Sequence, residues 1–320
     1  QAINANNGGS QDVVARVNAA GSVSWNYVVD ETRATLDSVD IVLTEPDIAS
    51  DVTDAKLKND VTTAVNVQAE DRSYIGAYSG AAALTKLGNN NHASFEAALT
   101  GAVAVNDLKK DTYATLKNSS VINADNVYNL AQNTGVQVAA GLSIGLETGS
   151  RKQGDDAISV KLGASGSANY IDSTVHADMA GDTLNGKNGG SMSVNNVAYD
   201  KDVQVAGGVT AQYAESTLAA GAAVTVNRIT NDIQAAMTNM NIGKGSNVNA
   251  TVENLALSKL TQVGTAVSAG VLPGDSKNYA VGEVAVTNNT VHNTVKATIS
   301  GGDIYAKTVA SEARDGKLNE

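Results

Sequence analysis

The chain has 320 residues, with 22 Lys and Arg against 33 Asp and Glu, a formal net charge of −11. It has no Cys, which excludes disulfides and Cys-ligated metal. The six Arg are scattered singly and the balance is acidic, which opposes the counterion exchange of non-specific nucleic-acid binding, and no apolar run approaches the ~20 residues that span a bilayer as a helix. Disorder is also a poor fit, because 42% of residues are hydrophobic and Val and Ile recur at alternating positions.

In chain order, the first alternating apolar stretch is Val23/Trp25, followed by Asn26 and a nine-residue motif over 28–36. Residues 41–74, with Pro46 and many Asp and Lys, fit no pattern and read as irregular or inserted. Val103/Val105 and Asn106 then precede a second motif copy over 108–116. Ile158/Val160 precedes a third over 171–179, Val224/Val226 and Asn227 a fourth over 229–237, and Val284/Val286 a fifth over 291–299. In every copy an Ala (Ala34, Ala114, Ala177, Ala235, Ala297) lies two residues before an aliphatic residue and two after Thr, Val or Ile. A second element recurs downstream as Val127…Leu130-Ala131, Val194…Val197-Ala198 and Val252…Leu255-Ala256. The motif starts, at 28, 108, 171, 229 and 291, give a period of about 60 residues with one long first interval.

Inside each copy the spacing is two, which places Ile233, Ala235 and Met237 on one face of a strand and Gln234 on the other. Asn and Gly clusters such as Asn118-Ser-Ser, Asn185-Gly186, Gly243-Lys-Gly245 and Ser300-Gly-Gly-Asp303 read as bends. Val138-Ala-Ala-Gly141 and Val205-Ala-Gly-Gly208 also read as turns. A long self-similar period selects a solenoid over a sandwich or barrel. The expectation is an all-β parallel β-helix, one elongated unit over residues 1–320. Its narrow core suits Ala, Val, Ile and Thr and leaves little room for aromatics. With ~20 residues per coil, each repeat makes about three coils. The chain then makes about 16 coils, a rod on the order of 75 Å at ~4.8 Å per coil.

The texture of Gly221-Ala-Ala-Val-Thr-Val-Asn227 through Met237, Asn249-Ala-Thr-Val-Glu-Asn-Leu-Ala, Gly101 to Asn106 and Val284 to Asn288 resembles repeats of large bacterial surface adhesins of the leukotoxin and filamentous-haemagglutinin type. The resemblance spans roughly residues 20 to 315. It implies a β-helical stalk exported by two-partner or related type V secretion, placed extracellularly at the bacterial cell surface. The chain begins at Gln1 without a signal-peptide pattern and reads as a mature product or a segment of something longer.

Candidate chemistry is sparse. His92, His176 and His292 do not share a repeat position and form no ligand column. Asp155 and Asp156, or Asp47, Asp51 and Asp54, are the carboxylates a β-helical polysaccharide enzyme would use, but adjacent residues face opposite ways on a strand. The calcium nonapeptide is incomplete at Asn7 to Asp12 and at Gly301-Gly-Asp303. No catalytic, cofactor-binding or metal residue is nominated, and no cofactor is expected. The expected role is a structural, adhesive, non-catalytic segment of a secreted surface fibre. Its expected partners are itself, neighbouring segments of the fibre, or a host or bacterial surface receptor, with no nucleic acid and no membrane insertion. A flagellin-like or surface-layer filament subunit is the alternative.

Overall fold

The computed structural model describes residues 2–4, 15–44, 63–86, 95–148, 158–213, 218–244, 248–272 and 280–316. Two parallel sheets make the body. Sheet A runs in the order β1 (Ala2–Asn4), β4 (Ala64–Lys86), β7 (Asn126–Thr148), β10 (Ser191–Tyr213), β12 (Asn249–Val271), β14 (Thr308–Asp315). Sheet B stacks β2 (Ala15–Asp37), β5 (Phe95–Lys117), β8 (Ile158–Ala180), β11 (Leu218–Ile242) and β13 (Ala280–Ile304). The short strands β3 (Asp40–Val42), β6 (Ser120–Ile122) and β9 (Thr183–Asn185) stack beside it at the corner. The architecture is therefore an all-β parallel solenoid, as the repeat implied.

The register explains the repeat. Leu36, Leu116, Met179, Met237 and Ile299 are direct neighbours from strand to strand, as are Ala34, Ala114, Ala177, Ala235 and Ala297. In sheet A the downstream element aligns the same way, Val65, Val127, Val194, Val252 and Val309 forming one column. Residues one repeat apart pair directly, so each repeat is one turn of the solenoid and not about three. The rod estimate changes with it. At ~3.3 Å per residue a 23-residue strand such as β5 is about 75 Å long. The five long strands of sheet B stack to only on the order of 25 Å at ~4.8 Å spacing. The long dimension lies along the strands rather than along the stack.

Two features produce strands of this length. The segments 138–141 and 205–208, expected as turns, lie inside β7 and β10. Gly141 serves a close approach of the two sheets: a Cβ there would sit 2.6 Å from the Gly166 carbonyl oxygen of the opposite sheet. The described corner that ends the long sheet B strands is one column of left-handed residues, Ser38, Asn118, Gly181, Asn239 and Gly301, with φ of 57°, 50°, 70°, 53° and 68°. Asn and Gly tolerate that conformation best. The irregular region 41–74 is also narrower than expected, since 64–74 pair regularly with 126–136, while 45–62 lie outside the described residues.

Alternation places every second residue in the narrow space between the sheets. Beside the corner this interior is apolar, built from Val127, Val194, Val252, Ala177, Ala235, Met179, Met237, Leu116 and neighbours. Trp25, Tyr27, Tyr74, Tyr78 and Phe95 are left exposed. Ala235 is fully buried and Gln234 is not. Ala235→Leu is expected to overpack the interior and destabilise by ~1–3 kcal/mol, while Gln234→Leu is nearly neutral. Urea melts of the two variants check this, and equal losses would contradict the assignment of faces.

Candidate functional site

Away from the corner the interior turns polar. In sheet B the amide Nδ2 of Asn26 donates to Oδ1 of Asn106 (2.9 Å), Asn106 to Asn169 (2.9 Å), Asn169 to Asn227 (3.0 Å) and Asn227 to Asn289 (2.9 Å). The second N–H of each donor crosses to the other sheet. Asn26 reaches the Gly76 carbonyl at 2.7 Å, Asn106 that of Val138 at 2.8 Å, Asn169 that of Val205 at 2.8 Å and Asn227 that of Val263 at 2.9 Å.

Sheet A answers with its own ladder. Asn129 donates to Asn196 (2.7 Å), Asn196 to Asn254 (2.8 Å), and Asn254 to the Ser311 hydroxyl (3.2 Å). These amides cross to the carbonyls of Ala114, Ala177 and Ala235. That contact gives a reason for the recurrent Ala: a larger side chain would occupy the space the Asn crosses. A Gln ladder, Gln262 to Gln204 to Gln137, adds a further row.

Beside the ladders lies a buried charged cluster. Lys110 on β5 and Asp202 on β10 are both fully buried, with Nζ 2.7 Å from Oδ1. Asp200, two residues earlier on the same inward face, accepts from Asn231 Nδ2. Asp71 belongs to the same electrostatic group. Burial works against the Lys110 charge, but Asp202 and Asp200 outweigh it and raise its pKa. Burial pushes the Asp202 carboxyl up, opposed by Lys110. Burial first and the Asp202 charge second push the Asp200 carboxyl well above the usual carboxylate range. Gly135 leaves room for this cluster: a Cβ there would lie 2.4 Å from Asp202 Oδ1 and 2.7 Å from Lys110 Nζ.

Another buried carboxyl, Asp182, accepts from the backbone N–H of Ser119 (2.8 Å) and Ala180 (3.2 Å) and tethers the corner. Burial raises its pKa to about 6 despite those donors.

The described residues among those weighed from sequence do not converge. His176 faces outward, edge-on to the Tyr113 ring at 5.7 Å and 3.4 Å from Asp232. Arg33 lies 4.4 Å over the other side of that stack, on the Tyr113 ring. His292 sits on exposed β13, two strands from β8 and level with Asp172, four residues along the strand from His176. Asp303 pairs with Lys244 at 2.8 Å on the surface. His92, Asp47, Asp51, Asp54, Asp155, Asp156 and the Asn7–Asp12 stretch lie outside the described residues. Among the described residues no three His, Asp or Glu side chains come together as a metal site. A shallow depression on the outer face of sheet B is lined by small and aliphatic residues including Gly21, Leu99, Gly101, Leu162 and Gly163, with no titratable side chain.

Sequence reading marked Asn26, Asn106 and Asn227 as part of the repeat without their role. It missed Asn169 and Asn289, the sheet A ladder, and the Lys110 cluster. Carrying the period of two back from Thr112 puts Lys110 inward, and carrying it on from Ala198 does the same for Asp200 and Asp202. No family model, curated protein or solved structure matches this chain.

Two outcomes are expected here. Gly135→Ala displaces the Lys110–Asp202 contact and lowers stability by roughly 1–3 kcal/mol, whereas Gly207→Ala, with open space around the added methyl, is tolerated better. Paired urea melts read the contrast. For Asp182, the folded pKa of about 6 lies above its ordinary value of 3.8. The folded state therefore binds more protons than the unfolded state between those values, and stability falls as pH rises through that interval. Asp182→Asn removes this contribution, so the stability difference between wild type and variant shifts against wild type from pH ~4 to ~6. A pH-independent difference in denaturation free energy would refute the assignment.

Proposed function

We propose that this chain is a non-catalytic structural segment of a secreted bacterial surface fibre, where it stiffens a stalk and joins its neighbours by continuing the stack. The carrying observation is the sheet B Asn ladder. All its donors point the same way through five strands, and it is open at both ends among the described residues: Asn26 accepts from no described residue, and Asn289 donates to none. A side-chain ladder of this kind gains one hydrogen bond for each strand added in register. The inward row of β13, Asn289, Val291, Val295, Ala297 and Ile299, matches that of β2, Asn26, Val28, Thr32, Ala34 and Leu36. The texture of the adhesin-type repeats supports the same reading. So does the outer depression on sheet B, which offers no acid or base to a substrate. The filament alternative asks for long helical termini, and the described strands β2 and β13–β14 are β throughout.

Two measurements test this. Immunogold labelling of the producing cells with antibody to the chain is expected to place gold outside the envelope, and gold confined to the cytoplasm would overturn the fibre reading. In negative stain across a concentration series, wild-type particles are expected to lengthen along the stack. Asn289→Asp keeps the acceptor for Asn227 and removes the outgoing donor, so it is expected to stay short. Asn288→Asp, with the same charge on the adjacent outward position, is expected to assemble. Equal assembly of both variants would reject the ladder as the joining contact.

A further inference from the structure

We propose that Lys110 and Asp202 condense to an intramolecular amide that covalently joins the two sheets. The inference does not rest on the fibre reading. Three observations carry it. Nζ and Oδ1 stand 2.7 Å apart with both side chains fully buried. That contact bridges β5 of one turn to β10 of the next, on opposite sheets and 92 residues apart in sequence. Beside it the Asp200 carboxyl is fully buried as well and hydrogen-bonds to the Asp202 carboxyl.

Such an arrangement is costly as an ion pair. Desolvating two charges costs more than their attraction returns unless the remaining polar atoms are also satisfied. Condensation removes both charges and one carboxyl oxygen from the buried interior. Gly135 supplies the space, since any side chain there would press on both reacting groups.

The chemistry balances without a co-reactant. The Lys110 ammonium passes one proton to the Asp202 carboxylate across the short contact, leaving a neutral amine and a neutral acid. The amine lone pair attacks Asp202 Cγ, forming the C–N bond and a tetrahedral centre. Asp200, in the protonated form that its burial favours, donates its proton to the departing Asp202 hydroxyl as the C–O bond breaks. Asp200 then recovers a proton from the nitrogen. One water is released, and nothing is oxidised or reduced. Asp200 thus acts as general acid and then base, a role worth ~10²–10⁴-fold in rate.

Intact-mass spectrometry of the full chain tests this directly. The wild-type mass is expected to be one water below that of the sequence. A tryptic digest is expected to contain a branched peptide joining the segments around Lys110 and Asp202, with cleavage after Lys110 lost. Lys110→Arg keeps the charge but cannot form the amide, and it is expected at its full sequence mass with a lower thermal midpoint. Asp200→Asn keeps the shape beside the reacting pair and is expected to slow cross-linking about a hundredfold or more. Far-UV circular dichroism confirms that each variant keeps its β signature. A wild-type chain at full sequence mass, folded and incubated at neutral pH, would overturn the proposal. Unchanged cross-linking in Asp200→Asn would overturn the role of Asp200.

Discussion

The side-chain amide of asparagine, used twice at each rung, is the interaction on which this solenoid depends. One N–H continues the ladder to the next turn and the other crosses to a carbonyl of the opposite sheet. Each Asn therefore fixes two things at once: the axial register between turns and the spacing between sheets. A one-residue slip would move every Asn to the outer face and break both contacts. The strands run to 23 residues because such rungs recur along them, in place of the bends that shorter coils would need.

The same bonds explain why an interior so polar is tolerated. Burying an amide without partners costs several kcal/mol on apolar reference scales, and a satisfied network in low dielectric reverses that penalty. The interior divides accordingly. Next to the corner, Val, Met and Ala columns supply apolar burial. Further along, Asn, Gln, Ser and Thr face one another across a gap too narrow for larger residues, as the Ser143–Thr100 and Thr210–Ser165 contacts show. Gly and Ala in this stretch are spacing elements rather than turn formers.

This division also sets what was legible in the sequence. The parallel solenoid, the inward face of the motif and the corner at Asn118 and Ser300-Gly301 follow from period two and from left-handed residue types, both local signals. Strand length did not follow. Gly141 and Gly208 look like turn residues in sequence, and only the nearness of the opposite sheet, a contact remote in sequence, reveals another cause. The number of turns per repeat failed for the same reason. The charged cluster was hidden because Lys110, Asp200 and Asp202 come from different strands and break the repeat instead of joining it.

That break has a physical origin. Parallel in-register stacking puts equivalent residues about 4.8 Å apart, which favours Asn on Asn and penalises like charge on like charge. The inward columns obey this. Lys110 shares its column with Asp30, Ser173, Asn231 and Asn293, so no second cation stacks on it. The column of Asp200 reads Asp71, Asn133, Asp200, Ser258, Asp315, with a neutral residue between each pair of carboxylates. A buried charge in this architecture can occur only where the repeat is interrupted. Lys110 and Asp202 meet at such an interruption, and Gly135 in the turn next to Asp202 leaves the space they occupy. Neutral amide ladders can extend through any number of turns, whereas a buried ionic contact is confined to the two neighbouring turns it bridges and marks them as chemically distinct from the rest.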